Sequence, residues 1–138
     1  MLIEKGISVR ILQHDYTACI RLARQLPEAT IINHLETDLT FYESERFDKA
    51  DYFIACTESD ERNLLASALA KKAGCRQIVA SLDGVLYSSL VKDLQIKTVS
   101  PRMSAANRIL TLVQAEKVSS MVSLYENQAE ILEFRVSL

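Results

Sequence analysis

The residues able to do chemistry collect just after short apolar runs. Gln13, His14 and Asp15 follow the run at 9–12, residues 34–38 follow the run at 29–32, and residues 57–63 follow the run at 52–56. Ser81 through Gly84 and Ser100 through Arg102 close two further runs, at 77–80 and 97–99. If the runs are parallel strands, all five ends meet at one rim, the place where open α/β sheets bind ligands. The rim is polar and of mixed charge. It offers hydrogen bonds to hydroxyls and ring nitrogens, but no nucleophile with a base beside it, no Ser-x-Gly elbow and no HExxH pair. These residues suit binding better than catalysis.

Each candidate has a structural reading beside its functional one. Asp15 precedes a helical pattern and serves best as its N-cap. Thr57 follows a buried run where a ribose or adenine would pass, and it can equally close a turn. His14 and His34 fall at strand ends and could face each other as a metal site or a pH-sensing pair. Two half-exposed loop histidines are favoured, because no carboxylate or thiol clearly completes a ligand set. Cys19, Cys56 and Cys75 are odd in number and form no CxxC pair, which suits reduced thiols.

The elements that must position these groups follow from periodicity. The 138 residues make one ordinary domain, and 49% apolar with 25% charged residues excludes a disordered chain. With 16 Lys+Arg against 18 Asp+Glu, the net charge of -2 leaves no electrostatic footprint for nucleic acid or an anionic membrane. No apolar run is long enough to span a bilayer, and the start lacks a signal peptide's apolar stretch, so the expectation is a soluble, cytoplasmic chain.

Strand-like runs alternate with helical patterns. The first helix carries Ala18, Ile20, Leu22, Ala23 and Leu26 and stops at Pro27; a short one ends near Phe47. A long helix opens at Ser59, Asp60 and Glu61, presents Leu64, Leu65, Ala68, Leu69 and Ala73, and ends at Gly74. Another follows Asp83 and Gly84 with Val85, Leu86, Leu90, Val91 and Leu94. The last follows Pro101 through Val113. Strict alternation of strand and helix means an α/β fold: a Rossmann-like parallel sheet with helices on both faces. From Ile131 to Val136 the period is two, as in an antiparallel strand. The change of pattern near Glu116 to Val118 divides a domain at 1–116 from a tail at 117–138.

The series Ala50-Asp-Tyr-Phe-Ile-Ala-Cys-Thr57, then Asp60-Glu61-x-Asn63-Leu-Leu-Ala66, then Ala70-Lys-Lys-Ala-Gly74, resembles the core of the TrkA/RCK (regulator of potassium conductance) regulatory domain. Ser100-Pro-Arg102 with Ala106-Asn107-x-Ile109-Leu110 is similar to its next signature. Met121-Val-Ser-Leu and Ala129-Glu-Ile-Leu-Glu-Phe134 resemble the start of its C-terminal subdomain. The match runs through the chain in order and is nearest the second regulatory half of potassium-uptake proteins of that family. The resemblance implies a cytosolic regulatory subunit or fragment, not an enzyme, attached to the membrane subunit of a potassium transporter or channel. It also implies a nucleotide sensor for NAD(H) or ATP/ADP and a homodimer or higher homo-oligomer, with no nucleic-acid partner and no membrane insertion of its own.

Carried over by position, Gln13 lies where the ribose is held, and Asp15 lies in the acidic end of the second Rossmann strand. Thr37 and Asp38 match the next loop, and Thr57, Asp60 and Asn63 lie near the adenosine. Gln13 replaces an acidic residue, Ser81 stands where a basic one is common, and the loop Gly-Asp-Gly-Thr-Asp reads His34-Leu-Glu-Thr-Asp38 with both glycines gone. No GxGxxG occurs, so the resemblance implies that the first strand, its glycine turn and most of its helix are missing. NAD(H) binding by this chain alone is then doubtful. The strands at 9–12 and 52–56 would flank an empty slot. Three resolutions are open: the two strands close up; a second copy or the tail strand fills the slot; or the chain is a fragment of a longer protein. Self-association is the favoured one. Rival functions are the cytosolic domain of a cation/proton antiporter, an NAD-dependent oxidoreductase, and an assembly-only remnant without ligand.

Overall fold

The computed structural model describes residues 2–84 and 87–113 in full and the backbone of 118–124 and 129–134. Five short parallel strands alternate with helices. They are β1 (Arg10–Gln13), α1 (Tyr16–Gln25), β2 (Thr30–Asn33), α2 (Leu39–Ser44), β3 (Tyr52–Ala55), α3 (Asp60–Lys72), β4 (Gln77–Ser81), α4 (Ser88–Asp93), β5 (Lys97–Val99) and α5 (Pro101–Val113). Two antiparallel strands follow, β6 (Val118–Leu124) and β7 (Ala129–Phe134).

Local chemistry sets the helix ends. The Asp15 carboxylate accepts the Thr17 N–H at 2.9 Å, Asp38 accepts those of Thr40 and Phe41, and the Ser59 hydroxyl accepts that of Arg62 at 3.2 Å. Each cap satisfies donors that the first helical turn leaves unpaired, worth about 1 kcal/mol apiece. α1 stops before Pro27, and α3 closes on Gly74 at φ +96°, where a Cβ would meet Asp48 Cβ at 3.3 Å. The helix expected to reach Phe47 ends at Ser44 instead. Arg46 enters the left-handed region at φ 59°, and a separate 3-10 turn spans Phe47–Lys49.

The parallel strands form two sheets. β1 pairs with β2, Arg10 opposite Thr30 through Gln13 opposite Asn33; β3, β4 and β5 form the other sheet, with β4 in the middle. β1 and β3 are each paired on one edge alone among the described residues. Direct closure of these two strands, one of the expected resolutions, is therefore overturned. So is filling of the slot by the tail, because among the described residues β7 pairs with β6 in a separate two-stranded sheet. β6 itself was not foreseen by periodicity. Val85, Leu86 and the expected boundary at 116–117 lie outside the described residues.

The main core belongs to the three-stranded sheet. Ala55, Ile78 and Ala80 face Leu64 and Ala70 of α3, joined by Cys75, Leu82, Val91 and Ile96. The opposite face, which carries Ile54 and its register partner Val79, is only partly covered, and Ile54 stays 54% exposed. An aromatic joint ties the two sheets together. Tyr42 of α2, 0% exposed, sits 4.5 Å from the Phe47 ring and 5.8 Å from Phe53 of β3. From the β1 side, Arg10 pairs with Glu45 and lies over Phe47, and Leu12 packs on the same core.

Candidate functional site

The carboxyl ends of the parallel strands converge as the sequence implies, and most of the candidate residues are engaged with one another. Gln13 Oε1 accepts the Asp15 N–H at 2.9 Å, and Asp15 caps α1. The Gln13 carbonyl holds the Asn33 amide and the Cys19 thiol, which locks the end of β1 to β2 and α1. Asp38 divides itself between capping α2 and holding His34 Nε2 at 2.8 Å. That histidine bond, chiefly, keeps the Asp38 carboxyl below its ordinary range. Thr37 lies half-buried between Glu36 and Asp38 and turns the chain into α2.

On the other side of the rim, Asn63 is the anchor. Buried in the first turn of α3, its Oδ1 accepts from both the N–H and the hydroxyl of Thr57 at 2.7 Å. Its Nδ2 donates to the carbonyls of Thr57 and Ser81. One amide thus pins the loop after β3 to the end of β4. Asp60 reaches in the same direction, its Oδ2 accepting the N–H groups of Asp83 at 3.0 Å and Gly84 at 2.9 Å. A Cβ at Gly84 would stand 3.2 Å from that oxygen, so glycine permits the approach. Asp83 in turn accepts from the Ser100 hydroxyl at 2.6 Å, which chiefly depresses its own carboxyl, and pairs with Arg102.

Between these two sets lies a group that periodicity did not single out. Glu36, 6% exposed, pairs through Oε1 with the Arg62 guanidinium, and its Oε2 lies 3.5 Å from His14 Nδ1. Arg62 also stands 3.0 Å from His14 Nδ1. A guanidinium can only donate, so Nδ1 is the acceptor there and the proton of a neutral His14 sits on Nε2. The histidines do not face each other: His14 joins Glu36 and Arg62, while His34 stacks on Phe41 at 4.3 Å and binds Asp38. Each histidine has a carboxylate beside it that the spacing alone does not disclose. Among the described residues, no group of three or more His, Cys, Asp or Glu side chains could hold a metal ion. The sequence does carry a signal for Arg62. A positive side chain in the first turn of a helix opposes the macrodipole, and such a residue needs an anion to answer it.

Two surface depressions lie elsewhere. One borders α1 at Thr17, Ile20, Arg21 and Arg24; the other borders Asp48, Tyr52, Arg76 and Gln77 at the amino ends of β3 and β4. The rim is a polar surface many of whose groups are hydrogen-bonded to one another.

A family model described as the TrkA-N domain matches residues 1–101. A Trk system potassium uptake protein trkA homolog 1 of Methanosarcina mazei is 33% identical over 97% of this chain and 33% of its own length. The Trk system potassium uptake protein TrkA of Halomonas elongata is 27% identical over 95% of this chain and 29% of its own. The chain spans about one third of the length of these relatives. Among solved structures, the NAD(P)-binding domain of an exopolyphosphatase-related protein from Archaeoglobus fulgidus superposes with a TM-score of 0.72 at 12% identity. That match covers 83% of this chain and 85% of that one. The GsuK RCK domain superposes at 0.67 with 16% identity, over 90% of this chain and 27% of that one. At such identities the structural matches establish the fold.

Proposed function

The chain belongs to the TrkA-N domain family, and from that premise we propose that it is a regulatory domain of a potassium-uptake system. In this reading it acts at the cytoplasmic face of a transporter's or channel's membrane subunit, by conformational coupling and without catalysis. The observation that carries it is the agreement between the family match and a rim of polar binding groups at the carboxyl ends of the strands. The matched solved structures include one described as the GsuK channel bound to NAD. The rim of this chain would accordingly meet NAD(H) or an adenine nucleotide. Gln13, Asp15, Thr37 and Asp38 would shape the ribose side, and Thr57, Asp60 and Asn63 the adenosine side. Because those residues bond one another, they would act chiefly by setting the contour a nucleotide meets.

We assign residues 1–116 to this domain and 117–138 to the start of a second subdomain. A homodimer or larger ring is the proposed assembly. Its support is α5, whose Met103, Ile109, Leu110, Leu112 and Val113 are all exposed although apolar. No helix among the described residues is long and apolar enough to cross a membrane, so contact with the bilayer would run through the transport subunit. The internal satisfaction of the rim favours one rival: an assembly module that works without a ligand.

Deleting the chain from its host should change the rate of potassium uptake. Thermal melting of the purified chain with NADH, NAD, ATP and ADP separates the two readings, since a ligand at 100 times its Kd adds about 2.7 kcal/mol to stability. A rise in melting temperature supports the sensor, and no rise with any nucleotide supports the assembly module. Unchanged uptake overturns the regulatory reading.

A further inference from the structure

Glu36, Arg62 and His14 come from three loops that have nothing else in common. Glu36 follows β2, His14 follows β1, and Arg62 stands in the first turn of the helix after β3. They meet between the carboxyl ends of β1 and β3, where one sheet gives way to the other. A ligand of an open α/β sheet sits at such a point. What sits there in this chain is a buried carboxylate that belongs to the protein.

The chemistry of the three groups is that of an anion site with its anion already in place. A guanidinium binds carboxylates and phosphates alike, through the same planar fork of N–H groups. Arg62 is half-exposed and His14 exposed, so solvent reaches both, while Glu36 lies beneath them.

We propose that Glu36 is a tethered anion occupying a phosphate site made by Arg62, and that this occupancy suppresses binding of a nucleotide's phosphates. The site is internally competed. A free phosphate group must displace Glu36, and the carboxylate, held at high local concentration by its loop, resists displacement. Binding to Arg62 follows once Glu36 is removed. The proposal rests on the reading that the rim meets an anionic nucleotide.

The test is calorimetric titration of pyrophosphate, ADP and adenosine into the wild-type chain and its variants. Glu36→Gln keeps the shape and removes the charge. It should bind pyrophosphate and ADP at least ~10-fold more tightly than wild type, the gain expected when a charge-assisted contact is freed. Glu36→Gly should show the same gain and stands in if the glutamine variant folds poorly. Adding Arg62→Gln to either variant should erase the gain. Glu58→Gln, which removes an exposed charge from the same rim, should change affinity by less than about 2-fold. Equal affinity of wild type and both Glu36 variants overturns the proposal, as does a gain that survives loss of Arg62. If ADP or adenosine binds every variant alike, the proposal falls and the nucleotide reading stands. If none of the three binds any variant, both fall.

Discussion

The two parallel sheets obey one grammar and reach different ends. In each, a strand of four or five residues leads through a side-chain N-cap into a helix and back to a parallel neighbour. The β3–β5 sheet buries a continuous core, because Leu64 and the small Ala70 of α3 pack upon Ala55, Ile78 and Ala80. The β1–β2 pair buries only Ala18 and Cys19 fully, and its aliphatic residues Ile11, Leu12, Ile31 and Ile32 remain half-covered. A two-stranded ladder with one helix is marginal by itself. The smaller sheet must therefore borrow stability across the joint made by Tyr42, Arg10 with Glu45, and Arg62 with Glu36. Period and capping build an element; neighbours decide how well it is held.

Breaking the joint should expose this dependence most strongly. Tyr42→Ala empties the fully buried ring site and removes the hydroxyl that donates to the Glu36 carbonyl at 2.8 Å. A loss of about 3–5 kcal/mol is expected in urea denaturation. Hydrogen exchange should show β1 and β2 opening before β3, β4 and β5; uniform opening would mean the two sheets are equally self-sufficient.

Asn63→Ala strikes the larger sheet at its rim. It strands the Thr57 N–H and the Ser81 carbonyl without their buried partner. The expected cost is about 2–3 kcal/mol. Here protection should fall first in the loop at 57–59 and the end of β4, leaving β1 and β2 unaffected. Restoration by Asn63→Asp, which keeps the acceptor and loses the donor, should be partial.

A smaller effect of opposite sign is expected inside α3. The Ser67 hydroxyl is fully buried and has no hydrogen-bond partner among the described residues. Ser67→Ala relieves that group and improves helix propensity, and should raise stability by about 1 kcal/mol. A loss would show that the hydroxyl has a partner in solution.

Acid should weaken both sheets. Asp38 beside the smaller one and Asp83 beside the larger each have a folded pKa held below the ordinary carboxylate value. A depressed folded pKa contributes stability that is present above the unfolded pKa and lost as pH falls through the folded one. Melting temperature should therefore drop on acidification below the usual aspartate range. Asp38→Asn and Asp83→Asn should each flatten the drop; a profile unchanged by both would contradict the assigned hydrogen bonds.

Much of the fold was legible before any coordinates. Pro27, Ser59, Asp15 and Gly74 mark helix ends in the sequence because their local chemistry acts within a few residues. The aliphatic runs show as strands because both faces of a parallel strand are apolar. The joint was not legible. Tyr42, Phe47 and Phe53 read as three unremarkable apolar positions until α2 folds them onto one point. The candidate site was legible as a set of rim residues and not as a network. Nothing local to Asn63 reveals that it would span to Ser81. Glu36 and Arg62 belong to separate loops, and only folding makes a pair of them. The expectation of a vacant strand position came from resemblance and not from periodicity; among the described residues β1 and β3 are each paired on one edge.

The central claim is that β1 and β3 belong to separate sheets, joined through the side chains of the loops and helices that follow them. Nuclear Overhauser contacts between backbone protons of the two strands test it most directly. The expected pattern has strong interstrand contacts between Ile11 and Ile31, and between Ile54 and Val79, with none between the backbones of β1 and β3. A ladder of contacts linking Ile11 and Leu12 to Phe53 and Ile54 would show one closed five-stranded sheet and contradict the account.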